Sequence, residues 1–400
     1  MSIAPWIPFP VNVQTFRKEG RETMRTLCFT VGLFVLLISA RANASLCPSP
    51  TQISAVSVPG HPFAAVASPD NCWLFVSINV GKGGGAVAVL RNNSGKFELD
   101  HVAPLKSEAY GEALSHDGHL LAVAGGNDTS VLDVQRLEHD DGSPLLGMLH
   151  SGSGAGAVYA AISHDGKLAF VSDEDSARIS VFDLSKLQND GSVLIDHIPT
   201  SGFPVGLAFS PDGRWLYATS QRGPASMQST CKPELPNGQM HPPGLLFKID
   251  TAKAAADPRH ALVAGLPAGC NPVRVAVAPD GKELWVTARG DNALLRFQVA
   301  SWPDGAGQAG VTSLSIGPSP VGVAVRPDGK QVWTALSNRF AKDAKGQLVG
   351  LSDLENSAQL KRMSIPADGF PRELSFLPDG RTLIATLFDA KQVEFVPTPD

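Results

Sequence analysis

Apolar and polar positions along this chain fall into a unit that recurs from end to end: an apolar run, a polar break centred on Asp, and a second apolar run. FSPDGRWLYATS from Phe209 is a full form of it. The other copies are ASPDNCWLFVSI from Ala67, LSHDGHLLAVAG from Leu114, ISHDGKLAFVSD from Ile162, VAPDGKELWVTA from Val277, VRPDGKQVWTAL from Val325 and FLPDGRTLIATL from Phe376. At the break Pro fixes φ, Asp can bond its own backbone and Gly takes positive φ, so each copy predicts a hairpin. The second run carries Phe170, Trp215, Tyr217, Trp285 and Trp333 among small residues, as a half-buried or buried strand does.

The turn aspartates are Asp70, Asp117, Asp165, Asp212, Asp280, Asp328 and Asp379, at intervals of 47, 48, 47, 68, 48 and 51. A period near 48 leaves room for four short strands and their loops, which is one propeller blade. Apolar segments at the expected places supply the third strands, near Val131 and from Gly84, Arg178, Gly244, Ala293, Gln347 and Gln392. Fourth strands follow from Phe97, Leu145, Val193, Ala261, Val311 and Leu360. The seventh repeat ends after its third strand, whereas an orphan strand, Gln52 to Val58, precedes the first hairpin. Pairing the two would leave no open sheet edge. The expected fold is therefore all-β: a seven-bladed β-propeller of four-stranded antiparallel blades, closed by an N-terminal strand that completes the last blade. One domain then spans residues 45–400.

Residues 1–44 differ in kind, with Arg21 and Arg25, an apolar run from Leu27 to Ala40, and Ala42-Asn43-Ala44. They read as a secretory signal peptide cleaved after Ala44, with Met24 as a possible start, because the run is shorter than a membrane span needs. Export to the periplasm or the extracellular space follows, with no membrane span in the mature chain. The leader holds five basic and two acidic residues, so a chain of net charge −5 leaves a mature part at −8. The 39 Gly and 31 Pro occupy turn positions and form no low-complexity run. No basic, aromatic-interleaved stripe is present, which argues against nucleic acid as a partner.

The segments GFPVGLAFSPDGRWLYAT from Gly202 and CNPVRVAVAPDGKELWVT from Cys270 resemble the YVTN-type propeller repeats. Those repeats are shared by YncE-like secreted proteins and the propeller-fold, 6-phosphogluconolactonase-like lactonase family. The resemblance covers about residues 52 to 396. WD40 repeats have a similar period, but their Gly-His and Trp-Asp signatures are absent. The family's Gly-Pro-Arg-His segment has no counterpart. The equivalents here are Gly60-His61-Pro62, Gly202-Phe203-Pro204 and Gly369-Phe370-Pro371. Asp173-Glu174 resembles the family's Asn-Glu after a second strand.

The 68-residue interval adds about 20 residues between the second and third strands of blade 4, Gln221 to Pro243. Strand direction puts this insertion on the face that carries the blade-to-blade loops, opposite the Asp-Gly turns. Polar residues at the starts of first strands, His61, Glu108, Tyr110, Arg274 and Arg372, should line that face near the channel, a usual ligand site. The intra-blade loops add Asn127, Asp128, Asp173, Glu174, Arg289, Asp291, Asn338, Arg339 and Asp389. Of these, Tyr110, Arg274, Arg372, Asp173, Glu174, Arg289, Asp291 and Arg339 are the candidate ligand residues, and His61 and Glu108 the candidate catalysts. Asp173-Glu174-Asp175 lacks EF-hand spacing, so no metal is expected, and no cofactor motif appears. Four cysteines remain after the leader is removed, and strand direction pairs Cys47 with Cys72 on the turn face and Cys231 with Cys270 on the loop face. The expected function is binding, by a monomer, of a protein, a glycan or a small anionic ligand on the loop face. A lactonase-like hydrolase acting on a lactone or related ester is the alternative.

Overall fold

The computed structural model describes residues 46–399, apart from 82, 188–192, 235–236, 303–309, 340–344 and 356–359. The leader assigned to residues 1–44 lies outside the described residues. Seven antiparallel four-stranded sheets follow one another along the chain. In blade 4, for example, Pro204–Phe209, Trp215–Ser220, Leu245–Asp250 and Leu262–Pro267 pair in sequence order. The last blade is composite: Pro371–Phe376, Thr382–Leu387 and Gln392–Pro397 are joined by Ser54–Ser57 from the other end of the chain. Register runs from Ser54 opposite Phe395 to Ser57 opposite Gln392, so the closing strand is shorter than the Gln52 to Val58 expected.

Each turn forms as its residues dictate. In blades 1 to 4 a Ser hydroxyl (Ser68, Ser115, Ser163, Ser210) donates to the turn Asp at 2.5–2.7 Å and accepts the N–H five residues on. Gly213 sits at φ 68°. A Cβ there would also meet the ring of His164 from the preceding blade at 2.9 Å, so glycine is required twice over. His164 thus takes the place that Pro211 takes against Gly281.

Blades pack face to face through seven apolar clusters, one at each blade boundary. The cluster that joins blade 7 to blade 1 holds Val58, Ile384, Val393 and Phe395 with Leu74, Val76, Leu90 and Phe97, and Phe97 stacks on Phe395 at 4.5 Å. The ring is therefore shut by core packing as well as by the added strand. Both expected disulfides are present, Cys47–Cys72 and Cys231–Cys270. Among the described residues, no helix is long and apolar enough to cross a membrane.

A second element of closure is hydroxylic. Ser77, Ser172, Thr219, Thr287 and Thr386 occupy one position in the second strands of five blades, and each donates to a carbonyl in or just before the first strand of the next blade: Tyr110, Val205, Val273, Val321 and Phe63. The other two blades have Ala124 and Ala335 there.

A candidate anion pocket at the channel mouth

The site begins with a β-bulge. In blades 4, 5 and 7 the first strand slips register after its opening Pro, so that Val205-Gly206 lies opposite Thr219, Val273-Arg274 opposite Thr287, and Arg372-Glu373 opposite Thr386. A bulge re-aims side chains and frees an N–H. The threonine hydroxyl accepts that N–H, at 2.9 Å from Gly206, 3.1 Å from Arg274 and 3.0 Å from Glu373. The same hydroxyls donate onward to the next blade, so the inner residues are fixed from both sides.

At the second bulge position the blades carry Ala64, Gly111, Tyr159, Gly206, Arg274, Gly322 and Glu373. Small residues suit it because the next blade approaches closely: a Cβ on Gly206 would lie 2.7 Å from the Val273 carbonyl oxygen. The three large exceptions meet. Arg274 Nε donates to Glu373 Oε2 at 2.6 Å, and its guanidinium lies 4.6 Å from the centre of the Tyr159 ring. Both members of the ion pair are buried. Burial works against the charge on Arg274, but Glu373, Tyr159 and Glu174 outweigh it and hold the guanidinium above its ordinary pKa. Tyr159 is pushed up by burial and by Glu373.

Above this pair lies a cavity of about 200 Å³, lined by Glu174, Gln221, Arg274, Arg289, Arg339 and Arg372 over a floor of Val158, Val205 and Val273. Arg289 is bound bidentately by Glu234 of the insertion, at 2.6 Å on each arm, and donates to Gln221 Oε1 at 3.1 Å. Gln221 Nε2 in turn donates to Glu174 Oε1 at 2.7 Å. Arg372 is placed differently. Its guanidinium lies 3.7 Å from the centre of the Phe63 ring and near Phe370 and Phe388, and its Nε is shut from solvent without a hydrogen-bond partner among the described residues. Burial, and then the charges of Arg274, Arg339 and Arg289, lower its pKa to about 9 against the pull of Glu373. Burial and Asp175 raise Glu174, opposed by Arg274, Arg289 and Arg372. The cavity therefore carries a positive field in which one guanidinium has donor capacity to spare.

Five of the residues singled out from sequence, Glu174, Arg274, Arg289, Arg339 and Arg372, come together here. Tyr110 stands beside them, its hydroxyl donating to Glu108 at 2.7 Å and its pKa pushed up to about 12 by burial and by Glu108. Tyr110 and Glu108 lie in the loop before blade 2, whose first strand starts only at Glu112. Three candidates lie elsewhere. Asp173 is fully buried and turned away, accepting from Ser180 at 2.5 Å and from Arg178 at 3.3 Å. Asp291 accepts the Cys270 N–H at 2.7 Å, which fixes its loop. His61 bonds the Phe388 carbonyl through Nδ1 and stacks on that ring, so it braces the aromatic cage of Arg372. Among the described residues no group of three or more His, Cys, Asp or Glu is placed to hold a metal ion.

Sequence reading missed Glu373, Glu234 and Gln221. Glu373 carries a usable signal: aligned on their turns, four of the seven repeats have Ala or Gly at its position, so a charged residue there is out of place unless it has a partner.

No family model matches the chain, and no curated protein matches it in sequence. Among solved structures, hydrazine synthase of Kuenenia stuttgartiensis is similar at 20% identity and a TM-score of 0.64, over 85% of this chain and 96% of that one. The β-propeller domain of Cps50 (Swd1) from Myceliophteria thermophila is similar at 14% identity and a TM-score of 0.63, over 88% and 99%. Likeness at these identities is a likeness of fold.

Proposed function

We propose that this chain is an exported, YVTN-type propeller that captures a small anion, or the anionic end group of a larger partner, in the loop-face cavity without turning it over. The observation that carries the proposal is Arg372, a guanidinium caged by phenyl rings with an unpartnered Nε, in a cavity that three further arginines line. A planar fork of this kind matches a carboxylate or phosphate group. A bound anion would offset the repulsion that, after burial, lowers Arg372, and would accept from its guanidinium. The cavity, at about 200 Å³, falls below the roughly 300–1,000 Å³ of drug-sized ligand sites, which favours a compact guest or a single end group. Export is supported by the apolar leader and by two disulfides, which persist in oxidising compartments.

Isothermal titration of the purified protein with acetate, phosphate, sulfate and small carboxylic acids tests the reading. Loss of a charge-assisted hydrogen bond costs about 1.5–3 kcal/mol, so Arg372→Ala should weaken the anion that binds by roughly 10- to 100-fold. Absence of binding by every anion, or equal affinity in the variant, would contradict it.

One observation favours a hydrolase: Glu174, its pKa raised by burial and Asp175, faces the arginines in the same cavity, as a base and an oxyanion partner would. Turnover of a lactone panel that is insensitive to EDTA and lost in Glu174→Gln would support that reading instead.

A further inference from the structure

The cavity holds one feature that a plain anion site would do better without, the carboxylate of Glu174. It is not loosely held. Glu234 clamps Arg289 bidentately, Arg289 fixes the Gln221 amide by its oxygen, and the Gln221 NH2 then grips Glu174 Oε1. The chain of bonds assigns the orientation of the amide and leaves Oε2 of Glu174 for the cavity. A pre-set acceptor beside a guanidinium with a spare donor is a paired template.

The geometry points to a ligand that is a small acid bearing a hydrogen-bond donor, hydroxyl or ammonium, beside its anionic group, with Arg372 taking the anion and Glu174 the donor. The inference rests on the anion-binding reading above and adds selectivity to it. Glu174 repels a second negative charge, and an apolar substituent would leave its oxygen unpaired, so dianions and unsubstituted acids are both disfavoured. The size of the cavity keeps the two groups close together in the guest.

Titration with propionate, lactate, alanine and succinate reads this out. Lactate or alanine should bind about tenfold or more tightly than propionate, since a hydrogen bond to a charged acceptor is at stake. Which of the two wins tells hydroxyl from ammonium. In Glu174→Gln the new amide must keep its oxygen on the Gln221 NH2, which turns an NH2 donor toward the cavity, so the ratio to propionate should fall to near unity or invert. Gln221→Leu, which frees Glu174 without removing it, should reduce the ratio partway and serves if the first variant fails to fold. Arg372-dependent binding with the same ratios in wild type and both variants would overturn the selectivity and leave the anion site standing. Tighter binding of succinate than of lactate and alanine would overturn it too. Absence of any Arg372-dependent binding would fail the underlying reading as well.

Discussion

Glu112 sits in the first strand of blade 2, 3% exposed, with no side-chain partner for either carboxyl oxygen among the described residues. Equivalent positions in the other repeats are Ala65, Ala160, Leu207, Val275, Val323 and Leu374, so one acid stands where the fold expects an apolar residue. Burial raises its pKa well above the usual range against the backbone N–H of Ser77, and nearby Glu373 adds to the rise. The folded state therefore binds a proton that the unfolded chain releases above about pH 4.3. Stability from this group is complete below that pH and is lost as pH rises toward the folded pKa, by about 1.4 kcal/mol per unit. Glu112→Gln keeps the shape and removes the cost. Urea melts should show the variant more stable than wild type at pH 7, with the difference shrinking toward pH 4. A variant equal to or weaker than wild type at pH 7 would mean that Glu112 is charged and partnered in solution.

The elements that shape the site are the first-strand bulges and the hydroxyls that fill them. Thr287 accepts from Arg274 N and donates to the Val321 carbonyl, so it joins blade 5 to blade 6 and holds the backbone that aims Arg274. Thr287→Val keeps the volume and leaves two buried polar groups unpaired, at a cost of about 1–3 kcal/mol. Chemical denaturation measures it, and Ala335→Thr, which restores a hydroxyl at a position that lacks one, is the matched control with no comparable loss. At this scale the sequence was legible in part. Hairpins followed from the Asp-Gly turns, and both disulfides followed from strand direction. Which polar residues share the cavity did not follow, because its walls come from blades 3 to 7 and a single bulged residue exchanges inward for buried. Asp173 and Glu174 are neighbours in sequence, yet one is sealed against Ser180 and the other faces the arginines. The insertion could be located from the repeat interval, whereas its latch, Glu234 on Arg289, depends on a tertiary fold-back that periodicity does not encode.

For the whole molecule the ring is the stabilising unit, and its weak point is the seam where the two ends of the chain meet. Ser54–Ser57 completes blade 7, Cys47–Cys72 ties the same segment to blade 1, and Ser49 Oγ donates to Asp379 at 2.5 Å. Removal of residues 46–58 exposes the edge of Gln392–Pro397 and forfeits about 3–4 kcal/mol of loop constraint. Calorimetry should show the melting temperature falling by roughly 5 °C or more. Unchanged melting would mean that the ring is held without its seam. Closure matters to function because Arg372 and its cage belong to blades 7 and 1, on the two sides of that seam, while the other cavity walls come round from blade 3. The central claim is that these distant segments form one anion site. Crystals soaked in bromide, a monovalent anion, test it most directly through the anomalous signal of bromine. The account predicts a peak in the loop-face cavity within hydrogen-bonding distance of Arg372, absent from crystals of Arg372→Ala. An empty cavity in the presence of bromide bound elsewhere on the surface would contradict it.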